Sequence, residues 1–175
     1  KRARDYLHSP DRDYEAKVAY MQQCLQQTLS EPERYVLLYL DEFGFERQPT
    51  PSWAYTERGT ALPLARRSHR TNTLCRGVGA LNALTGQLTY EQHSKITVPR
   101  LSNFYQHLTD DYRWAECIFV VQDNWPVHVH PDIVARLQPQ TSPFWPTLPA
   151  NWPTAPSRPA VPDTLPIQLV FLPTY

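Results

Sequence analysis

The sequence predicts an α/β fold in which a mixed five-stranded sheet is flanked by helices. Five short runs have the composition of strands, two longer segments have helical periodicity, and the two kinds of segment alternate in the second half of the chain. The chain has 175 residues, of which 41% are hydrophobic. This length supports one substantial core and is short for two. We therefore expect a single globular unit.

The first predicted helix covers residues 14–29, and Ser9-Pro10-Asp11 forms its entry. The residues before it are basic and irregular. Apolar side chains recur at steps of three and four residues, which gives the helix one face for docking: Val18, Met21, Leu25 and Leu29. We assign residues 1–30 as a basic linker and helix that leads into a core domain spanning residues 31–175.

Three strands are predicted next. Residues 35–40 form a continuous apolar and aromatic run, typical of a strand buried on both faces, and the run ends at Asp41 and Glu42. Two further strands, 77–84 and 87–93, flank Thr85-Gly86, where glycine can supply the positive φ of a tight turn. We expect these strands to be antiparallel neighbours.

The second half of the chain alternates helices and strands. A helix over residues 98–112 is predicted to cross to a second buried strand at 117–121, and a short helix follows at about 131–137. Prolines recur between residues 139 and 166, which favours an extended insertion because proline supplies no backbone donor. The last strand is expected at 167–172.

Charge and cysteine content indicate which partners and which cellular compartment to expect. Lysine and arginine (17) balance aspartate and glutamate (17), so a DNA-binding surface must come from local clustering rather than from net charge. The three cysteines lack the paired spacing of a zinc site or a disulfide framework. No apolar run approaches the roughly 20 residues that cross a bilayer. We expect a protein of the reducing cytoplasm without a membrane partner.

Two of the buried runs end at an aspartate, Asp41 after the first and Asp123 after the strand at 117–121. If these strands are parallel neighbours, both carboxylates reach one crevice at the sheet edge and repel each other. Mg²⁺ or Mn²⁺ would relieve the repulsion, and two ions about 3.5–4 Å apart can support phosphodiester cleavage and transfer. One such aspartate alone is commonly a turn or helix-cap residue. Two at matched strand ends favour a metal site.

Several motifs occur in a familiar order: Leu40-Asp41-Glu42, Trp53, Gly59, Gln122-Asp123-Asn124, His128, and Phe171 through Tyr175. From about Asp5 to Tyr175 the chain resembles the catalytic domain of DDE/DDD transposases, within the bacterial insertion-sequence branch of the Tc/mariner-type transposases. The resemblance implies a ribonuclease-H-like layout, β-β-β-α-β-α-β. It also implies that Asp41 and Asp123 are the first two catalytic acids.

For function, the resemblance implies a transposase that cleaves transposon-end DNA and joins the freed 3′-hydroxyl to target DNA. Its expected partners are double-stranded DNA and a second copy of the enzyme on that DNA. Its expected cofactors are two Mg²⁺ or Mn²⁺ ions, and its expected location is the bacterial cytoplasm, in association with the nucleoid. A helix-turn-helix DNA-binding region is implied before Lys1.

The resemblance further implies a third acid, usually glutamate, roughly eight residues beyond Tyr175 on a helix that this chain lacks. We therefore interpret the chain as truncated and expect it to be inactive, or nearly so, alone. The acids inside the chain are weaker substitutes. Asp163 lies in the proline-rich insertion, Asp132 starts a helix, and Glu42 alternates away from its neighbour.

Further site candidates surround the two acids. A basic run is predicted to contact phosphates of the transposon end, although it also suits a solvated turn: Arg66, Arg67, His69 and Arg70. Trp53 either stacks on a base or caps the sheet. His128 either orients a phosphate or water near the metals or caps a helix. Asn124 is expected to hold the carboxylate of Asp123 by a hydrogen bond.

Two alternative functions stay open from the sequence. One is a catalytically inactive transposase remnant that acts only in DNA binding or assembly, since the third acid is missing. The other is an unrelated ribonuclease-H-like nuclease, which would lack specific binding to inverted repeats.

Overall fold

A computed structural model describes residues 9–46, 53, 55–59, 61, 64, 74–138, 142–157 and 164–174. The helices are α1 (Tyr14–Ser30), α2 (Val98–Asp111) and α3 (Pro131–Val134). The strands are β1 (Tyr35–Glu46), β2 (Leu74–Asn82), β3 (Leu88–His93), β4 (Cys117–Gln122) and β5 (Ile167–Phe171). A 3-10 turn, Pro126–Val129, was not predicted. No helix in the described ranges has both the length and the apolar character needed to span a membrane.

The five strands form one mixed sheet in the order β3-β2-β1-β4-β5. β1, β2 and β3 are antiparallel neighbours, whereas β4 runs parallel to both β1 and β5. Longer connections that contain α2 and α3 precede and follow β4, as parallel pairing requires. The predicted five-stranded mixed sheet flanked by helices is therefore confirmed, with the β-β-β-α-β-α-β order of a ribonuclease-H-like layout.

β1 is longer than predicted. Its apolar run ends at Leu40, but the strand continues through both acids to Glu46. The extension exists because β2 pairs with it, from Asp41 opposite Gly79 to Glu46 opposite Leu74. Side chains in this half of the strand are mostly exposed, so hydrophobicity gave no signal of it. The acids are thus held in a strand rather than in the loop after it.

The turn between β2 and β3 ends β2 before the predicted limit at residue 84. Oδ1 of Asn82 accepts hydrogen bonds from the backbone N–H groups of Leu84 (2.9 Å) and Thr85 (3.0 Å). Gly86 has a φ of 70°, the left-handed conformation that the sequence predicted for this turn. The asparagine side chain replaces the strand ladder at this point, which is common in tight turns.

Two cores lie on opposite faces of the sheet. The larger one is between the sheet and α2, whose buried face consists of Leu101, Phe104, Tyr105 and Leu108. On β1 and β4 it uses the even-numbered side chains Val36, Leu38, Ile118 and Val120. The smaller core joins α1 to the other face through Cys24, Leu37, Phe119, Val121 and Val170. Alternation along each strand therefore decides which face a site residue occupies.

The start of α1 is bonded to the chain that leaves β5. Oδ2 of Asp11 accepts from the backbone N–H of Thr174 (2.8 Å) and pairs with Nζ of Lys17 (2.8 Å). Ser9 Oγ donates to the carbonyl of Thr174 (2.6 Å). The lysine and the Thr174 N–H hold the pKa of the Asp11 carboxyl well below its usual range. α1 therefore packs as part of the same body as the sheet, and the division at residue 30 stays a prediction.

The described part of the proline-rich segment, residues 142–157, contains no helix or strand and lies against the core. Ser157 donates to Asp132 through both its backbone N–H and its hydroxyl. Trp145 packs on Phe171, with ring centroids 5.7 Å apart. These contacts hold the segment at two separate points, one on α3 and one on β5.

Candidate functional site

Asp41 and Asp123 occupy equivalent positions on two parallel strands. The ladder between β1 and β4 pairs Tyr39 with Val121, and each aspartate follows two residues later. Because side chains alternate along a strand, the two residues start from the same face at the same edge of the sheet. The donor atoms that lie within 4.8 Å of one another, however, belong to Glu42, Asp123 and His128, and this set does not include Asp41. The predicted parallel pairing of the two strands, the one that carries Asp41 and the one that precedes Asp123, is confirmed, while the catalytic role of the acids stays a prediction.

Both aspartates line a groove of about 730 Å³ at this edge of the sheet. The acids of the groove come from β1 and from the end of β4, and its cations come from β2 and from the loop after β3. The charged or aromatic lining residues are Asp41, Glu42, Asp123, Arg76, Lys95 and Trp125. The groove therefore carries negative charge at the centre of the sheet and positive charge toward β3.

Glu42 and His128 meet Asp123 from the α2 side of the sheet. Nε2 of His128 lies 3.2 Å from Oδ1 of Asp123 and 3.5 Å from Oε1 of Glu42. The imidazole is buried, whereas the Asp123 side chain is 57% exposed. Neither Nε2 nor the Glu42 Oε1 atom has an aligned hydrogen-bond partner, although both are buried. The three residues thus form a charged contact with two unsatisfied buried atoms.

A buried polar chain supports His128 from α2. The hydroxyl of Tyr105 donates to Oε1 of Gln122 (2.7 Å) and lies 3.4 Å from Nδ1 of His128. Since the single hydroxyl proton is used by Gln122, the hydroxyl oxygen is left to accept from Nδ1–H. All three side chains are fully buried. This arrangement places a proton on Nδ1 of His128 and turns Nε2 toward the carboxylates.

The charges of this contact shift the pKa of each partner. Burial lowers the pKa of His128, but the carboxylates of Asp123 and Glu42 outweigh burial, so that the pKa is raised above its ordinary value. The pKa of Asp123 is lowered, first by the imidazole of His128 and then by the N–H of Trp125, which donates to Oδ1 at 2.9 Å. Burial and the two nearby carboxylates raise the pKa of Tyr105. Tyr105 therefore stays a neutral hydroxyl.

The donor atoms at this end of the groove fit a divalent cation. Ligand atoms of Glu42, Asp123 and His128 lie within 4.8 Å of one another, and Asp41 lines the same groove. Carboxylate oxygens suit Mg²⁺ and Mn²⁺, and an imidazole nitrogen is accepted more readily by Mn²⁺. A cation would also satisfy the unpaired Glu42 oxygen and His128 nitrogen. The residues present are therefore compatible with a metal centre.

The predicted supporting residue Asn124 has a different bond from the one expected. Its Nδ2 donates to the carbonyl of Leu172 (2.8 Å), so the side chain ties the ends of β4 and β5 together. The contact with the Asp123 carboxylate is made by His128 instead. The amide is drawn to Leu172 because the parallel neighbour β5 ends beside it with a free carbonyl. A role for Asn124 in the site stays a prediction.

Of the remaining acids and the candidates for DNA contact, some lie away from the groove and others lie outside the described residues. Asp132 starts α3, as predicted, and binds Ser157 outside the groove. Trp53 is fully exposed, so its side chain does not cap the sheet, and its contact with DNA stays a prediction. The positions outside the described residues are Asp163, Arg66, Arg67, His69 and Arg70.

Sequence reasoning missed several groups that the fold brings to the site. Glu42 does alternate away from Asp41, as predicted, yet it reaches Asp123 by way of His128. Gln122 and Tyr105 gave a weak signal, a polar group at the end of an apolar run and a tyrosine within a helical apolar face. Arg76 and Lys95 gave none, because isolated cations beside predicted strands are ordinary surface residues.

Comparison with known proteins identifies the family. The family model described as DDE superfamily endonuclease matches residues 36–175. No curated protein matches. Among solved structures, the Mos1 mariner paired-end complex with Mn is similar at 15% identity, over 77% of this chain and 42% of that one, with a TM-score of 0.47. The Mos1 strand transfer complex is similar at 18% identity, over 74% of this chain and 40% of that one, with a TM-score of 0.43.

The chain thus spans less than half the length of the solved transposase chains that it resembles. The family model, by contrast, extends from the second residue of β1 to the last residue of the chain. It includes Asp41, Asp123 and all of the sheet except Tyr35. This chain belongs to the DDE superfamily endonuclease family.

Proposed function

We propose that this chain is the catalytic core of a transposase, which cleaves transposon-end DNA and transfers the freed 3′-hydroxyl into target DNA. The observation that carries the proposal is the placement of Asp41 and Asp123 at matched positions of parallel neighbours, in the groove of a DDE superfamily endonuclease. Acids so arranged suit phosphoryl transfer, which needs charge stabilisation and in-line positioning.

In this proposal Asp41 and Asp123 hold the divalent ions, with two Mg²⁺ or Mn²⁺ ions expected. When bound, such ions activate the attacking oxygen and stabilise the leaving oxygen. His128 orients the Asp123 carboxylate through their 3.2 Å contact and is itself held by Tyr105. Asn124 fixes the strand end that carries Asp123 by its bond to Leu172. The protein contributes a rigid frame in which both carboxylates face one groove.

The rest of the proposal follows the family resemblance. A third carboxylate is expected beyond Tyr175, so we expect residues 1–175 to bind metal but to cleave DNA poorly or not at all. The partners are transposon-end and target DNA, with two copies of the enzyme pairing two ends. Residues 1–30 link to a DNA-binding region, and the protein acts at the bacterial nucleoid. DNA contacts are assigned to Trp53 and to the basic run Arg66, Arg67, His69 and Arg70.

Metal binding tests the site without requiring turnover. Mn²⁺ titrated into the purified chain, followed by electron paramagnetic resonance, should bind to the wild type and bind at least tenfold more weakly to Asp41→Asn and to Asp123→Asn. The matched control is Asp110→Asn, an exposed acid on α2 that does not line the groove. Equal Mn²⁺ affinity in all four proteins would exclude this metal site.

A further inference from the structure

Two cations, Arg76 and Lys95, line the same groove as the acids. Arg76 lies in β2, opposite Gly44 of β1 and His93 of β3. Lys95 follows β3, two residues after its end. Both side chains are exposed, and neither forms an ion pair with an acid in the described part of the chain. Their charge is available to a ligand in the groove.

The sheet fixes the spacing between Arg76 and the acids. Glu42 pairs with Val78 and Gly44 pairs with Arg76, so Arg76 and Glu42 share a face of the sheet. A strand spacing of about 4.8 Å and a rise of about 3.3 Å per residue separate the two backbone positions by roughly 8 Å. Gly44 adds no side chain beside Arg76. Between Glu42 and Arg76 this face of the sheet therefore carries no side chain from β1, whereas Asp41 belongs to the opposite face and reaches the groove from the other side.

The loop that carries Lys95 is anchored at two points. Nη1 of Arg100, in the first turn of α2, donates to the carbonyl of Lys95 (2.6 Å). The next residue, Ile96, is buried in the main core. The backbone of Lys95 is thus held in place before any ligand arrives, which lowers the entropy cost of binding through its ammonium group.

We propose that Arg76 and Lys95 bind phosphates of the DNA strand next to the phosphate that is held at Asp41 and Asp123. This inference rests on the proposed function. It adds the path of the DNA, which runs across the sheet from β4 toward β3. Three acids at one end of the groove repel DNA, so fixed cations at the other end are needed to hold the strand in register. The guanidinium and the ammonium both suit phosphate oxygens.

The salt dependence of DNA binding tests the inference. The affinity of the chain for a fluorescein-labelled duplex with a single-stranded 3′ extension is measured by anisotropy in Mg²⁺, from about 50 to 200 mM salt. Removing one cation that binds a phosphate of duplex DNA should reduce the slope of log affinity against log salt by about 0.9. Arg76→Ala and Lys95→Ala should each show that reduction, with affinity about tenfold lower near 0.1 M salt. Arg76→Lys should keep the wild-type slope.

The control is Arg113→Ala, which removes an exposed arginine after α2, outside the groove. If Arg113→Ala lowers the slope as much as Arg76→Ala and Lys95→Ala do, or if none of them changes it, the strand path is wrong. If the wild type itself binds this DNA without any salt dependence, the proposed function fails instead. A methylphosphonate scan of the probe should locate one position whose neutralisation weakens the wild type and leaves Arg76→Ala unaffected.

Discussion

Asp41 and Asp123 each lie two residues beyond Tyr39 and Val121, the pair that ends the parallel β1–β4 ladder. The next residue after Asp41 is also an acid, but Glu42 points to the opposite face and contacts His128. Two adjacent carboxylates in one strand therefore have separate environments. Both line the groove, but Asp41 is exposed, whereas Glu42 is largely buried beside an imidazole.

This separation predicts different effects of two neighbouring substitutions. Asp41→Asn should weaken Mn²⁺ binding at least tenfold, because it removes a proposed ligand. Glu42 is also compatible with a cation, but the proposed function assigns the ions to Asp41 and Asp123, so Glu42→Gln should change the affinity by less than about threefold. Calorimetric titration of both variants checks the order. A larger effect in Glu42→Gln than in Asp41→Asn would assign the metal to Glu42 and His128.

His128 should make stability depend on pH in the metal-free chain. The pKa of His128 is raised in the folded chain. Its contribution to the free energy of unfolding is therefore complete below its unfolded pKa of about 6.5 and is lost as pH rises through the folded pKa. The pKa of Asp123 is lowered, so its contribution is present above about 3.9 and is lost as pH falls through the folded value. Urea unfolding in EDTA should therefore show a free energy of unfolding that falls as pH rises above neutrality. In His128→Asn this fall should be smaller. The same fall in the variant as in the wild type would contradict the assignment of this pH dependence to His128.

Tyr105→Phe should destabilise the fold and loosen the site together. The change removes the hydroxyl that Gln122 and His128 contact, leaving buried polar atoms without a partner, at a cost of roughly 1–3 kcal/mol. Tyr90→Phe is the matched control, because Tyr90 is exposed on β3. Urea unfolding measures both variants. Equal stability of Tyr105→Phe and Tyr90→Phe would show that the hydroxyl has no supporting role.

Two cysteines should resist alkylation in the native chain. Burial raises the pKa of the Cys24 thiol to about 11 and that of Cys117 to about 12. At pH 8 the thiolate fraction of Cys24 falls about a hundredfold relative to a free cysteine, and limited access slows the reaction further. Iodoacetamide labelling read by peptide mass spectrometry should modify Cys75 first. Rapid native labelling of Cys24 would contradict the packing of α1 on the sheet.

The elements that the sequence predicted best are those buried on a regular pattern. β4, β5 and α2 are found at nearly the predicted limits, because the spacing of their buried apolar residues in the sequence marks where each element begins and ends. The second half of β1 could not be predicted in this way. Residues 41–46 are held by backbone pairing with β2 rather than by burial, and pairing leaves no mark in hydrophobicity.

Only part of the site could be predicted from the sequence. Asp41 and Asp123 could be named because each follows an apolar run, and the parallel pairing of those runs brings them together. The contact of His128 with Glu42 could not be foreseen. It depends on the 3-10 turn Pro126–Val129, which returns the chain to the strand end, and on Tyr105 reaching across from α2. Both are consequences of tertiary packing.

The parallel pairing of β1 with β4 also sets the order of events during synthesis. Asp41 leaves the ribosome about 80 residues before Asp123, an interval of roughly 4–16 s at ordinary rates of elongation. Once residues 74–82 have been made, β1 can pair with β2, but it has no neighbour on its other side until β4 is complete. The nascent chain therefore carries an exposed strand edge and only half of its acid pair. Any activity that depends on both acids has to wait for the centre of the sheet to close.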